Sequence, residues 1–67
     1  MTLGEMLGMA REIKGFTLRE LEGKTGISNA LLSQIETGKV LDPGFSKIVQ
    51  IARALGLKLD RLARTVE

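Results

Sequence analysis

The sequence predicts a small all-α domain, and three observations support this prediction. Glycines and helix-capping residues divide the chain into short segments in which apolar residues recur at helical spacing. The apolar residues are Leu, Ile, Ala, Val and Met, with Phe16 and Phe45 as the aromatic ones, and this composition favours helices over strands. The 67 residues include no Cys or His, so one hydrophobic core must stabilise the fold without a disulfide or a Cys/His zinc site. We expect five short helices in a single domain, residues 1–67.

The first predicted helix begins after Thr2 and ends at Gly15. Thr2 followed by Glu5 is typical of a capping box, and Gly15 stands where a C-cap glycine is expected. Gly4 and Gly8 each cost about 1 kcal/mol relative to Ala in a helix interior, so they weaken this helix. The apolar residues at helical spacing are Leu3, Met6, Leu7, Ala10 and Ile13.

The second predicted helix begins at Thr17 and ends at Gly26, and the third begins at Ser28 and ends at Gly38. Only residues 25–27 connect them, and so short a turn forces the two helices to meet at a steep angle. Their apolar residues are Leu18 and Leu21, then Leu31, Leu32 and Ile35.

Proline and glycine at Pro43 and Gly44 indicate a loop before the fourth predicted helix, which ends at Gly56. The residues that we expect on one apolar face of this helix are Phe45, Ile48, Val49, Ala52 and Leu55. A fifth helix is predicted from about Lys58, with Leu59, Leu62 and Ala63 as its apolar residues.

Two helices joined by a short turn with a central glycine are typical of a helix-turn-helix. The residues themselves match as well, in the segments TLREL (17–21), GIS (26–28) and LSQIETGK (32–39), at Pro43, in the helix 48–55 with Gly56, and in LDRL (59–62). At these positions, over about residues 3–64, the chain resembles the Cro and repressor (XRE) helix-turn-helix family. The resemblance implies a five-helix, lambda-repressor-like DNA-binding domain whose helix-turn-helix is formed by helices 2 and 3.

The resemblance also implies which residues contact DNA. Helix 28–36 would enter the major groove of an operator, with Ser28 as its N-cap. Asn29, Ala30 and Gln34 stand at base-contacting positions, and Asn or Gln can pair bidentately with adenine. Ser33 would reach a base or a phosphate. The DNA-contacting positions that follow from the resemblance are Thr17, Ser28, Asn29, Ala30, Ser33, Gln34 and Lys39, of which Lys39 would contact a phosphate.

Two further positions match a structural feature of the family, and several depart from its pattern. Arg11 and Glu36 match a charged pair that connects the first helix to the end of the third. Leu18 replaces a usual Gln that contacts phosphate, and Glu22 replaces a small residue, so Glu22 must bend outward or find a partner. The remaining departures are Thr25 in place of a bulky apolar residue and Val40 and Leu41 in place of polar or basic residues. Together they predict modest DNA affinity or a surface that also contacts protein.

Two functional interpretations remain open after these observations. The first is a regulator of transcription, acting as a repressor on double-stranded DNA as a weak homodimer in the cytoplasm, with contacts through the last helix and Val66. The second is an antitoxin or adaptor that binds a protein partner, a toxin or a co-regulator, which residues 40–41 and the leucine-rich last helix favour. The net charge of +2 is a weak signal for either, and Asn29, Ser33 and Gln34 taken alone could be ordinary surface residues. We expect no enzyme, cofactor, metal or membrane span, because the chain lacks Cys, His and a long apolar run.

Overall fold

The computed structural model describes residues 2–58, which form four α-helices and no strand. The helices are α1 (Leu3–Lys14), α2 (Leu18–Thr25), α3 (Asn29–Glu36) and α4 (Phe45–Ala54). The prediction of an all-helical fold is therefore confirmed for this part of the chain. The fifth predicted helix, with Leu59, Leu62 and Ala63, lies outside the described residues.

Side-chain caps fix the N-termini of the first three helices. Both α1 and α2 begin with a complete capping box, in which a Thr hydroxyl accepts from a Glu backbone N–H and the Glu carboxylate accepts from the Thr backbone N–H. The boxes are Thr2 with Glu5 and Thr17 with Glu20. Ser28 begins α3, and its Oγ accepts from the backbone N–H of Leu31 at 3.1 Å. These caps satisfy backbone donors that a helix leaves without intrahelical partners.

The core lies where α3 packs against α1 and α2, and where α2 packs against α4. Its members are aliphatic and come from all four helices and the turn before α3. The buried apolar residues are Leu7, Leu21, Ile27, Leu32, Ile35, Ile48, Ile51, Ala52 and Leu55. Each helix therefore contributes only one stripe to the core, as expected for short amphipathic helices.

Two apolar residues that the sequence pattern placed on core-facing stripes are exposed. Phe45, predicted on the apolar face of the fourth helix, is 76% exposed, so this prediction is wrong. It is the first residue of α4, three positions before Ile48, which is the first residue of that helix to reach the core. Ile13, near the end of α1, is 81% exposed. It lies about 120° around the helix from buried Leu7, because each residue advances by about 100°.

Glycine residues in α1 allow this helix to approach the C-terminal end of α3 closely. A Cβ atom on Gly4 would overlap the backbone carbonyl oxygen of Ile35, and one on Gly8 would lie 3.0 Å from a carboxylate oxygen of Glu36. These two glycines lower the intrinsic stability of α1 as a helix. In return, they allow α1 to pack closer to α3 than any residue with a side chain would. The approach brings α1 alongside the end of α3 and positions the ion pair described below.

Candidate nucleic-acid interface

The turn between α2 and α3 is held by side-chain hydrogen bonds. Gly26 adopts a left-handed conformation with φ of 76°, which reverses the chain after α2. The hydroxyl of Thr25 donates to the carbonyl of Leu21 at 2.8 Å and accepts from the backbone N–H of Ile27 at 3.1 Å. Ile27 itself is buried and anchors the turn in the core. Thr25 therefore stabilises the turn by hydrogen bonding, at a position where the family that the chain resembles has a bulky apolar residue.

The outer face of α3 is open to solvent. Ala30 and Gln34 are exposed and lie one helical turn apart, while Leu32 and Ile35 on the opposite face are buried. Ser33 is half-buried beside them. The first turn of α3 contains no acidic residue of its own, in contrast to α1 and α2, but the carboxylate of Glu22 in α2 contacts its first residue, Asn29. This face presents accessible polar groups.

Asn29, the first residue of α3, is engaged by a residue of α2. Its side-chain nitrogen donates to a carboxylate oxygen of Glu22 at 2.9 Å, and both side chains are half-buried. Sequence reasoning identified Glu22 as a residue in need of a partner but did not connect it with Asn29. The only available signal was the short turn between the two helices, which reverses the chain and brings positions seven residues apart into contact.

Arg11 and Glu36 form a bidentate ion pair between α1 and the end of α3. Nε of Arg11 donates to one oxygen of Glu36 at 2.8 Å, and one terminal nitrogen donates to the other at 3.0 Å. The second terminal nitrogen donates to the carbonyl of Phe16 at 2.7 Å, a contact that the sequence did not reveal. The two charged side chains are only 14% and 15% exposed, and the hydrogen bonds with Glu36 raise the pKa of Arg11. The ion pair therefore connects α1 to α3, and Arg11 also connects α1 to the loop before α2.

The remaining predicted contact positions flank the open face of α3. Lys39 is exposed and follows Gly38, whose φ of 85° ends the turn after the helix. Thr17 is exposed at the start of α2, with its hydroxyl oxygen occupied by the capping box. Leu18 is half-buried and packs against the core, so its side chain stabilises the fold and offers no phosphate contact.

An open cleft of about 450 Å³ between α2 and α4 is lined by Lys24, Thr25, Gln50, Arg53 and Ala54. Within the described range there is no cluster of three or more side chains suited to hold a metal ion. No helix in that range is long and apolar enough to cross a membrane.

Comparisons with known proteins agree with this geometry. The helix-turn-helix domain family matches residues 4–67 of the chain. The chain is also similar to a protein of Sinorhizobium fredii (strain NBRC 101917 / NGR234) that is named an uncharacterized HTH-type transcriptional regulator, with 38% identity over 55 residues. That match covers 82% of this chain but only 28% of the relative's length. No solved structure matches the chain significantly.

Proposed function

The chain belongs to the helix-turn-helix domain family, and from this premise we propose that it binds double-stranded DNA sequence-specifically and regulates transcription. The single observation that carries the proposal is the open outer face of α3, with Ala30 and Gln34 in solvent. A helix of this kind fits the major groove, where base edges present distinct donor and acceptor patterns. The name of the Sinorhizobium fredii relative as a transcriptional regulator supports the same function.

We assign the reading of bases to Asn29, Ala30 and Gln34, and the contacts with the DNA backbone to residues that flank α3. The amide of Gln34 is exposed and offers a donor and an acceptor, which match the N7 and N6 groups of adenine. Lys39 lies just beyond the C-terminal end of α3 and neutralises a phosphate. The remaining flanking contacts are assigned to Thr17, Ser28 and Ser33. No catalytic step, metal or cofactor is part of this proposal.

Regulation follows from occupancy of an operator, and we propose that the domain acts as a repressor. One domain of this size contacts about one half-site, so two copies would bind half-sites about 34 Å apart. The dimer is expected to be weak in solution and to form mainly on DNA. The predicted contacts of the last helix and Val66 lie outside the described residues, so this part of the proposal rests on the sequence alone.

The test is selection of bound duplexes from a random pool, followed by affinity measurements on the selected operator. The wild type should enrich a palindromic motif. Gln34→Ala should weaken binding to that operator by about 1–3 kcal/mol and binding to random DNA much less, because it removes base contacts and no charge. The matched control is Gln50→Ala, an exposed glutamine of α4 beside the cleft with α2, which should bind like the wild type. Equal weakening on both DNAs by Gln34→Ala would contradict the assignment of α3 as the reading helix.

A second candidate function, an antitoxin or adaptor that binds a protein, is favoured by one observation. Leu41, in the loop before α4, and Phe45, the first residue of α4, are 77% and 76% exposed. Exposed apolar side chains that form a contiguous patch are typical of interaction surfaces, and these two residues are close in sequence. A stable stoichiometric complex with a second protein, together with no retention on duplex DNA at low salt, would favour this function over the first.

A further inference from the structure

Glu22 of α2 places a carboxylate in contact with Asn29, one of the residues assigned to base reading. Nδ2 of Asn29 lies 2.9 Å from Oε1 of Glu22, and both side chains are half-buried at the junction of α2 and α3. The backbone that separates them is held by Gly26 and by the two hydrogen bonds of Thr25. The relative position of the two side chains is therefore set by the fold before any DNA is bound.

A carboxylate restricts how the amide of Asn29 can be oriented. An ionised Glu accepts hydrogen bonds but cannot donate them, so only the nitrogen side of the amide can face Glu22. One of the two N–H groups of the amide is used by this contact, which leaves one N–H as donor and Oδ1 as acceptor, and Oδ1 makes no hydrogen bond to residues 2–58. The reversed orientation would bring Oδ1 against the carboxylate and leave two oxygens in contact without a proton between them. Glu22 thus selects one of the two orientations that an isolated Asn would adopt.

We propose that Glu22 is a positioning residue for base recognition, which fixes the amide of Asn29 so that Oδ1 is the acceptor presented to DNA. This inference rests on the proposed function. An acceptor recognises base edges with an exocyclic amino group in the major groove, namely adenine and cytosine. Guanine and thymine present O6 and O4 there, which do not pair with Oδ1 and could only accept from the one N–H that Glu22 leaves free. Glu22 acts through Asn29 and touches no base.

The hydrogen bond with Glu22 distinguishes Asn29 from Gln34, the other amide side chain that we assign to base reading. Gln34 is exposed, and its side chain makes no hydrogen bond to the described residues, so its amide can rotate and adapt to the base it meets. Asn29 is held in advance, which lowers the entropy that it loses on binding. We therefore expect a stricter preference at the base pair that Asn29 contacts, and this preference should depend on Glu22.

A double-mutant cycle with Glu22→Ala, Asn29→Ala and the double variant tests this role. The quantity measured is the ratio of affinities for two duplexes that differ only by reversal of the base pair contacted by Asn29, so that the contacted strand carries adenine or cytosine in one and thymine or guanine in the other. The wild type should discriminate by at least about fivefold, the lower end of what one well-placed side chain gives. All three variants should lose this ratio, while the preference at the base pair contacted by Gln34 should persist. The ratio cancels the general gain in affinity that follows from removing a negative charge near DNA.

The possible results separate this inference from the proposed function. If Glu22→Ala keeps the wild-type ratio, or if the wild type prefers guanine or thymine at this base pair, the positioning role is wrong although the protein still reads DNA through α3. If the wild type enriches no motif at all, the proposed function fails and base recognition by Asn29 fails with it.

A measurement on the free protein checks the contact independently of DNA. The side-chain amide resonances of Asn29, identified by their loss in Asn29→Ala, should shift in Glu22→Ala, and the melting curve of that variant should match the wild type. Unchanged amide resonances would show that the contact is absent in solution and would overturn the inference.

Discussion

The two ends of α3 are held in different ways. At the C-terminal end, Glu36 receives two hydrogen bonds from Arg11, both side chains are nearly buried, and Gly4 lets the backbone of α1 lie against the helix. At the N-terminal end, a single hydrogen bond joins Asn29 to Glu22 in a half-buried position, and the neighbouring face is open to solvent. The same short helix is thus anchored at one end and accessible at the other.

This difference is relevant to how a helix of eight residues could combine a role in folding with the proposed DNA contacts. A nearly buried charged pair is costly to break, because loss of one partner leaves the other without compensation in a poorly hydrated site. A half-buried polar contact costs much less to exchange, because water or a ligand can replace it. Stability is therefore concentrated where α3 meets α1, whereas the positions that we propose for DNA contact lie on the solvent-exposed side of α3 and beside it.

The largest effect is expected at the anchored end, from Gly4→Ala. The added Cβ would overlap the backbone carbonyl of Ile35, and backbone atoms cannot move aside as a flexible side chain can. Overpacking of this kind costs about 3 kcal/mol or more, against a gain of about 1 kcal/mol in helix propensity. A domain of this size has only about 5 kcal/mol in total, so we expect a partly unfolded protein in thermal and urea denaturation.

The matched control for this prediction is Gly23→Ala in α2. Gly23 is also inside a helix, but a Cβ there would meet nothing within 4 Å. The substitution should therefore stabilise the domain by about 1 kcal/mol through helix propensity alone. Destabilisation by Gly4→Ala together with stabilisation by Gly23→Ala would support the close approach of α1 to α3. Stabilisation by both substitutions would contradict it.

The next largest effect is expected from Glu36→Ala, which leaves the guanidinium of Arg11 without its bidentate partner. We expect a loss of about 3 kcal/mol, because the pair is nearly buried. For a domain this small, such a loss corresponds to a decrease in Tm of more than about 10 °C.

Glu12→Ala is the control for the ion pair, since Glu12 lies 3.9 Å from Arg11 but is 72% exposed. It should change the free energy of unfolding by less than about 0.5 kcal/mol. Similar melting curves for Glu36→Ala and the wild type would show that the pair contributes nothing to stability.

Sequence reasoning predicted the helix boundaries better than the contacts between helices. Helix boundaries followed from Thr2, Gly15 and Gly26, because capping and left-handed glycines depend on local chemistry that the sequence displays. The packing role of Gly4 and the partner of Glu22 did not follow, because each depends on which backbone approaches from another helix. Exposure of Phe45 was missed for a related reason: periodicity assigns a face to a residue, but does not indicate where along the helix the packed region begins. The assignments of single residues to DNA contact remain predictions.

A smaller effect is expected beside the accessible face, from Lys39→Ala. Lys39 is exposed just after α3, and its assigned role is to neutralise one phosphate, so its loss should weaken binding to all sequences alike. The slope of log affinity against log salt concentration should decrease by about one unit per half-site. Because Leu18 packs against the core and offers no phosphate contact, Lys39 should account for a large share of this slope.

The control removes the same charge elsewhere. Lys14→Ala deletes an exposed lysine at the end of α1 and should leave the salt dependence close to that of the wild type. If both lysine variants change the slope equally, binding reflects the overall charge of the domain and not a contact next to α3.

The smallest effect is expected in the pH dependence of stability, and it concerns the N-terminal caps of the helices. Hydrogen bonds from the backbone and side chain of Thr2 lower the pKa of Glu5 below its ordinary value of 4.5, and Thr17 lowers the pKa of Glu20 in the same way. Because the pKa is lower in the folded state, the ionised capping boxes stabilise α1 and α2 fully above about pH 4.5. This contribution is lost as the pH falls through the lowered pKa values. The N-terminal cap of α3 is Ser28, whose hydroxyl does not titrate in this range.

The double variant Glu5→Gln/Glu20→Gln isolates this contribution, since Gln keeps a capping oxygen but does not titrate in this range. We expect the wild type to be more stable at pH 7, and the difference between the two proteins to shrink as the pH falls from about 5 to 3. Urea denaturation midpoints across this pH range measure the difference directly. If the midpoints of the wild type and the double variant fall in parallel with pH, the carboxylates of Glu5 and Glu20 titrate alike in the folded and unfolded chains.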